Sequence, residues 1–202
     1  MQNSDRDGLN QVAPTVGGAG GTSATPPWRV DAWSLSEDLA KIAQQWRSVR
    51  EILDDPRLYD LREPTVSGWS CGEHAGHIVT GLHQVTIKIE ASLAEPDRNS
   101  GEALSERAPA ILRGGGFPRG AGRASGIADT SGRPRRDFLP VLASAIQAWS
   151  GVAARATELP DCPARFRHGA MGYMRCTEWV RFAAIHSAHH LAIVRDVRGL
   201  RP

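Results

Sequence analysis

A chain of 202 residues is long enough for one domain with a real core and too short for two comfortable ones. With 41% apolar and 23% charged residues it reads as soluble and globular, and a net charge of +2 supplies no field that would point to nucleic acid or an anionic membrane. The three cysteines, Cys71, Cys162 and Cys176, make neither a C-x-x-C pair nor a disulfide framework, so a reducing, cytoplasmic setting is expected.

Residues 1–27 are rich in Gly, Ser, Thr, Pro and Asn and nearly empty of large apolar side chains. Such a segment cannot offset its ordering entropy by burial and reads as a disordered tail. It lacks the basic and apolar regions of a secretory signal, and no run in the chain approaches the roughly 18 apolar residues of a membrane span. A single domain over residues 28–202 follows.

Four helices are predicted in that domain. The first opens at Ser34 or Ser36, places Leu39, Ile42, Trp46, Val49 and Leu53 at spacings of three and four, and stops at Pro56. For the second, Ser70 is the N-cap and Glu73 completes a capping box; its stripe is Ile78, Leu82, Val85, Ile89 and Leu93, with Pro96 beyond the end. Residues 97–134 show no period and many glycines and arginines, and a loop of that length inside a compact domain is usually functional or mobile. A third helix spans about 135–158, or starts near Leu139 because Pro140 is tolerated only in a first turn. The next connection, LPDCPARFRHGAMGYMR, leaves room for a short extended piece. The fourth helix opens near Thr177 and ends at Gly199. The prediction is an all-α fold, an antiparallel four-helix bundle with long interhelical loops.

Three histidines, His186, His189 and His190, crowd into five positions of the last helix. Trp179, Ala183, His186, His190, Ile193 and Val197 alternate by four and three, which puts His186 and His190 one turn apart on the predicted seam, where their side chains converge. Two imidazoles so placed can serve one transition metal; buried without one, each ring nitrogen needs another partner. The absence of H-E-x-x-H excludes the zincin arrangement. A third ligand must come from elsewhere. The second helix offers His74, His77 and His83, its stripe mildly favouring His74 over His77, and His168 lies in a loop as an outside candidate.

Trp69-Ser70-x-x-Glu73-x-x-x-His77, followed far downstream by Glu178-Trp179 and His186-x-x-His189-His190, resembles the DinB/YfiT-like superfamily of four-helix-bundle metalloproteins. The stretch FPRGAGRA is similar to an interhelical segment of some members. The resemblance covers about residues 34–199 and implies a divalent ion held by His77, His186 and His190, which selects His77 over His74. It also implies a metal-dependent enzyme that transfers low-molecular-weight thiols or hydrolyses its substrate, and a bundle of a type for which a homodimer is plausible.

Three neutral imidazoles leave a divalent ion its full charge and an open position, the arrangement of a catalytic site rather than a closed structural one. Such an ion lowers the pKa of water toward about 7 or takes a thiol as thiolate. Zinc or nickel suits the donors, and the sequence does not choose. Glu73 and His189 are weak candidates for a catalytic role, Glu73 reading first as a cap and His189 as a packed flank residue. Cys71 and Cys176 stand near helix starts, where a thiol pKa can fall, yet read as small hydrophobes. Arg113, Arg119 and Arg123 are loop arginines that could meet an anionic substrate but read first as solvated. GGGFPRGAG matches no nucleotide-binding loop, and no basic patch suggests nucleic acid. The expected partner is a small molecule, with neither nucleic acid nor membrane. The rival reading is a non-catalytic metal- or ligand-binding bundle that dimerises.

Overall fold

The computed structural model describes residues 33–117 and 128–199. The predicted tail 1–27, Arg119, Arg123 and most of FPRGAGRA lie outside them. Four long helices form the body: α1 (Leu35–Asp54), α3 (Cys71–Ala94), α5 (Leu139–Ala154) and α6 (Cys176–Val197). Two short helices, α2 (Pro56–Asp60) and α4 (Ala108–Gly114), and a hairpin of β1 (Phe166–His168) with β2 (Gly172–Met174) fill the connections. The fold is all-α apart from this two-stranded piece, in which Phe166 pairs with Met174 and His168 with Gly172. Among the described residues no helix is long and apolar enough to cross a membrane.

Helix boundaries follow local chemistry. Ser34 caps α1 by accepting from Glu37 N–H, and the capping box of α3 is complete, with Ser70 Oγ accepting from Glu73 N–H at 3.1 Å and Glu73 Oε2 accepting from Ser70 N–H at 2.8 Å. Pro56 does more than end α1. It occupies the first turn of α2, where its missing N–H is no loss, and Asp55 caps that turn. A 3-10 turn at Arg135–Asp137 precedes α5, so the later of the two predicted starts is the observed one, and the helix ends at Ala154 rather than Glu158. Two expectations need correction. The fourth long helix is capped at Arg175, whose N–H donates to Glu178 Oε2 at 2.7 Å, and not at Thr177, which is already inside the helix. The 97–134 segment, read as unstructured, contains α4, whose left-handed stop falls at Gly115 with φ 68°.

The long helices close a ring in the order α1, α6, α3, α5. Contacts give their directions. Asp38 meets Arg181, Gln45 meets Ala184 and Glu51 meets Arg198, so α1 and α6 run parallel. Gly76 lies against Phe138 and Glu90 pairs with Arg155, so α3 and α5 also run parallel. His74 faces His190 and His77 faces His186, so α3 and α6 are antiparallel. Two parallel neighbours need a crossover along the bundle, about 36 Å beside the 24 residues of α3. That is the physical reason for the long 95–138 connection.

The core holds Trp179, Phe138, Ile42, Ile52, Leu53, Ile78, Leu82 and Ile89, all nearly inaccessible. Helix α3 approaches its neighbours through glycines: a Cβ on Gly72 would lie 2.2 Å from the Tyr59 ring, and one on Gly76 2.5 Å from the Phe138 ring. Between α1 and α6, buried Asp38 accepts from Arg181 Nη1 at 2.8 Å, and Gln45 donates to the Ala184 carbonyl. Burial pushes the Asp38 carboxyl up, and Arg181 opposes that shift.

Candidate metal centre

Helix α6 turns its deepest face a little away from the predicted seam. Ala183, Ala184, Ser187, Leu191 and Val194 are buried, whereas His186, His190 and Ile193 are half-buried at its edge. Small residues there let α1 and α3 come close, so the imidazoles sit where α6 meets α3 near the bundle surface. On α3 the first turns supply His74 and His77, both buried.

His77, His186 and His190 each bring a ring nitrogen to one spot, all within 4.8 Å of one another. His77 Nε2 is 3.1 Å from His186 Nε2. The His77 ring lies 4.5 Å from that of His190, centroid to centroid, and the His186 and His190 rings are 4.7 Å apart. Residues 109 positions apart in sequence thus share one point in space.

Each ring is held from behind. His77 Nδ1–H donates to the Ala128 carbonyl at 2.7 Å, which leaves Nε2 bare toward the trio. The carbonyl is delivered by a strap, residues 128–132, fastened to the start of α3. Thr130 Oγ1–H donates to the Glu73 carbonyl, Gly132 N–H donates to Glu73 Oε1 at 2.6 Å, and Trp69 Nε1–H donates to Ser131 Oγ. Trp69 spreads its indole beside His74, His77 and His190. On the opposite side Phe182 stacks on His186 at 5.3 Å, and Phe117 meets Phe182, His186 and His189 edge-on.

Burial makes neutral imidazole the resident form. It pushes His77, His186 and His190 below the ordinary histidine pKa, all three further depressed by neighbouring histidines, and it carries His74 down to about 4. Neutral rings are the form that ligates.

The remaining candidates fall elsewhere. Glu73 is buried, and burial opposes its ionisation, yet Arg62 at 2.9 Å and the N–H groups of Gly132 and Ser70 hold its carboxyl below the usual range. His189 packs between Phe117 and His190. His168 stands in β1, where its Nδ1 accepts from Ala170 and Met171 N–H and its ring lies 4.7 Å from Phe182. His83 lines a groove of about 300 Å³ with Thr80, Gln84, Arg133 and Ser144, outside the trio. Arg113 is in the last turn of α4 and exposed. Burial raises both the Cys71 and Cys176 thiols, Cys176 to about 12, so neither is activated by its helix start. Sequence reasoning missed the Ala128 carbonyl, Ser67 and Phe117; the first is a backbone group and the others stand in irregular segments without a period.

A ring of four long helices carrying three convergent imidazoles defines a helical-bundle protein with a possible metal site. The profile of the DinB superfamily matches residues 41–194, about three quarters of the chain, and the chain belongs to that superfamily. No curated protein and no solved structure gives a significant match.

Proposed function

We propose that this protein is a divalent-metal-dependent enzyme that holds its ion through His77, His186 and His190 and acts on a small molecule, a low-molecular-weight thiol serving as nucleophile. One observation carries the reading: three neutral imidazoles from two helices, His77 buried and His186 and His190 half-buried, converge within 4.8 Å. Their spacing suits a shared ion, since two nitrogens on one tetrahedral zinc lie about 3.3 Å apart and the His77–His186 pair stands at 3.1 Å. Zinc or nickel fits the all-imidazole donor set. When bound, the ion would act as a Lewis acid, letting a thiol or water react as its anion near neutral pH.

The chain's own groups support a thiol over water. The carboxylates whose charge is felt at His74 and His77 are engaged in the fold, Glu73 with its cap and strap and Asp129 with the N–H and hydroxyl of Ser131. Glu73 so held is a poor general base toward water, Asp129 commits one carboxylate oxygen to Ser131, and the need for a base is smaller for a thiol of pKa near 8.5 than for water. Trp69 on one side and Phe117 with Phe182 on the other give the site apolar walls that would exclude solvent and position an uncharged substrate. Such chemistry belongs to a cytoplasmic protein with access to free thiols.

The test is to load untagged protein with zinc, nickel or cobalt and assay it with cysteine or glutathione and an electrophile, alongside ester and amide hydrolysis. Thiol consumption above that of His186→Ala supports the reading. Hydrolysis alone would replace thiol transfer with the hydrolase alternative, and no turnover with any of the three metals would favour the non-catalytic bundle.

A further inference from the structure

His74 belongs to the cluster but not to the trio, and both of its ring nitrogens are occupied. Its Nδ1 lies 3.0 Å from His190 Nδ1, and its Nε2 lies 2.9 Å from Ser67 Oγ. Only 3% of its surface is exposed, so these contacts are its hydrogen-bonding environment and not a surface accident. Ser67 Oγ in turn accepts from Trp69 N–H at 3.1 Å.

The protons along this line can be assigned. One proton must lie between the two Nδ1 atoms, because two bare nitrogens 3.0 Å apart would repel without the shared ion proposed for His77 and His186, and two N–H groups would clash. If His74 held it, His190 would carry its own proton on Nε2 and have no lone pair left for an ion. If His190 holds it, His190 Nε2 is bare. His74 then accepts at Nδ1 and carries its proton on Nε2, donating to Ser67 Oγ, whose two lone pairs serve His74 and Trp69. The second arrangement satisfies every group with normal valence.

We infer that His74 is a positioning residue for the metal centre, fixing the Nδ1–H tautomer and ring orientation of His190 through a His190–His74–Ser67 chain. The inference rests on the proposed metal site and adds a residue the trio does not contain. It parallels the Ala128 carbonyl behind His77: each of the two rings is oriented by an acceptor at Nδ1, one from the backbone and one from a second imidazole. Removing such a partner typically weakens metal affinity 10- to 100-fold.

The experiment measures zinc affinity by competition with a chromogenic chelator for the wild type, His77→Ala, His74→Ala, His74→Gln and Ser67→Ala. In parallel, long-range proton–nitrogen NMR reads the His190 tautomer in the zinc-loaded wild type. We expect His74→Ala to bind about 10- to 100-fold more weakly than the wild type and His77→Ala to lose measurable binding. Ser67→Ala should shift in the same direction by less, and His74→Gln should recover most of the affinity, because its amide offers an acceptor to His190 and a donor to Ser67. The wild type should show His190 protonated at Nδ1. Wild-type affinity in a folded His74→Ala, or a His190 protonated at Nε2, would overturn the inference while leaving the trio intact. Loss in His74→Ala as complete as in His77→Ala, without rescue by Gln, would make His74 a ligand and overturn it too. No zinc uptake by the wild type would instead overturn the metal reading on which it rests.

Discussion

Packing several neutral histidines into one corner should make the metal-free protein acid-labile in a defined window. In the unfolded chain a histidine titrates near 6.5. In the fold His74 titrates near 4, and His77, His186, His190 and His168 are all shifted down by burial. A depressed histidine pKa means that below 6.5 the unfolded state binds protons the folded state refuses, so stability is present above 6.5 and lost as pH falls toward 4. At about 1.4 kcal/mol per pH unit, His74 alone removes about 2 kcal/mol by pH 5. The other four act in the same direction and add to this loss, which is set against the roughly 5–15 kcal/mol that holds a typical domain folded. Urea unfolding of metal-stripped protein between pH 7.5 and 4.5 measures this. The midpoint should be nearly flat above pH 7 and fall steeply below 6.5. A saturating divalent ion should move the fall to lower pH, because ligated imidazoles cannot take up protons. A midpoint unchanged between pH 7 and pH 5 in the metal-free protein would refute the reasoning.

Three further outcomes follow from the packing. Gly76→Ala gains helix propensity but drives a methyl to within 2.5 Å of the fully buried Phe138 ring; a net loss of about 1–3 kcal/mol in denaturant unfolding is expected. Glu73→Ala removes the carboxylate half of the α3 capping box and the side-chain anchor of the 128–132 strap together, so it should cost about 2 kcal/mol and also weaken metal binding, the second effect distinguishing the strap from a simple cap. Arg181→Met leaves Asp38, at 1% side-chain exposure, with only the more distant Lys41 ammonium at 3.8 Å and should cost about 3–5 kcal/mol by the same assay, most of which Asp38→Leu in the same chain should restore.

The parts of this structure that were legible in the sequence are those written in side-chain chemistry. Ser70 and Glu73 announced the start of α3, and Ile42, Val49, Ile78, Leu82 and Ile89 marked the inward faces by their spacing. The placement of His186 and His190 one turn apart was legible too, but not their depth. The stripe of large apolar residues pointed to the histidines as the centre of the seam, whereas Ala184 and Ser187, too small to register in such a stripe, permit the closest packing. Helix α4 was hidden because seven residues bracketed by proline and glycine carry no measurable period. The periodicity of α3 favoured His74 as the third member; His74 is the more deeply buried, and His77 is the one whose bare nitrogen meets His186. That distinction depends on the Ala128 carbonyl and on Ser67, groups that nothing in their local sequence singles out.

The most direct measurement is diffraction from crystals of metal-loaded protein, with data on both sides of the absorption edge of the loaded metal. The account predicts one anomalous peak per chain, about 2.0–2.1 Å from a nitrogen of each of His77, His186 and His190 if the ion is zinc, with His74 touching His190 and not the metal. A peak coordinated elsewhere, or the three rings drawn apart with no ion between them at saturating metal, would contradict it.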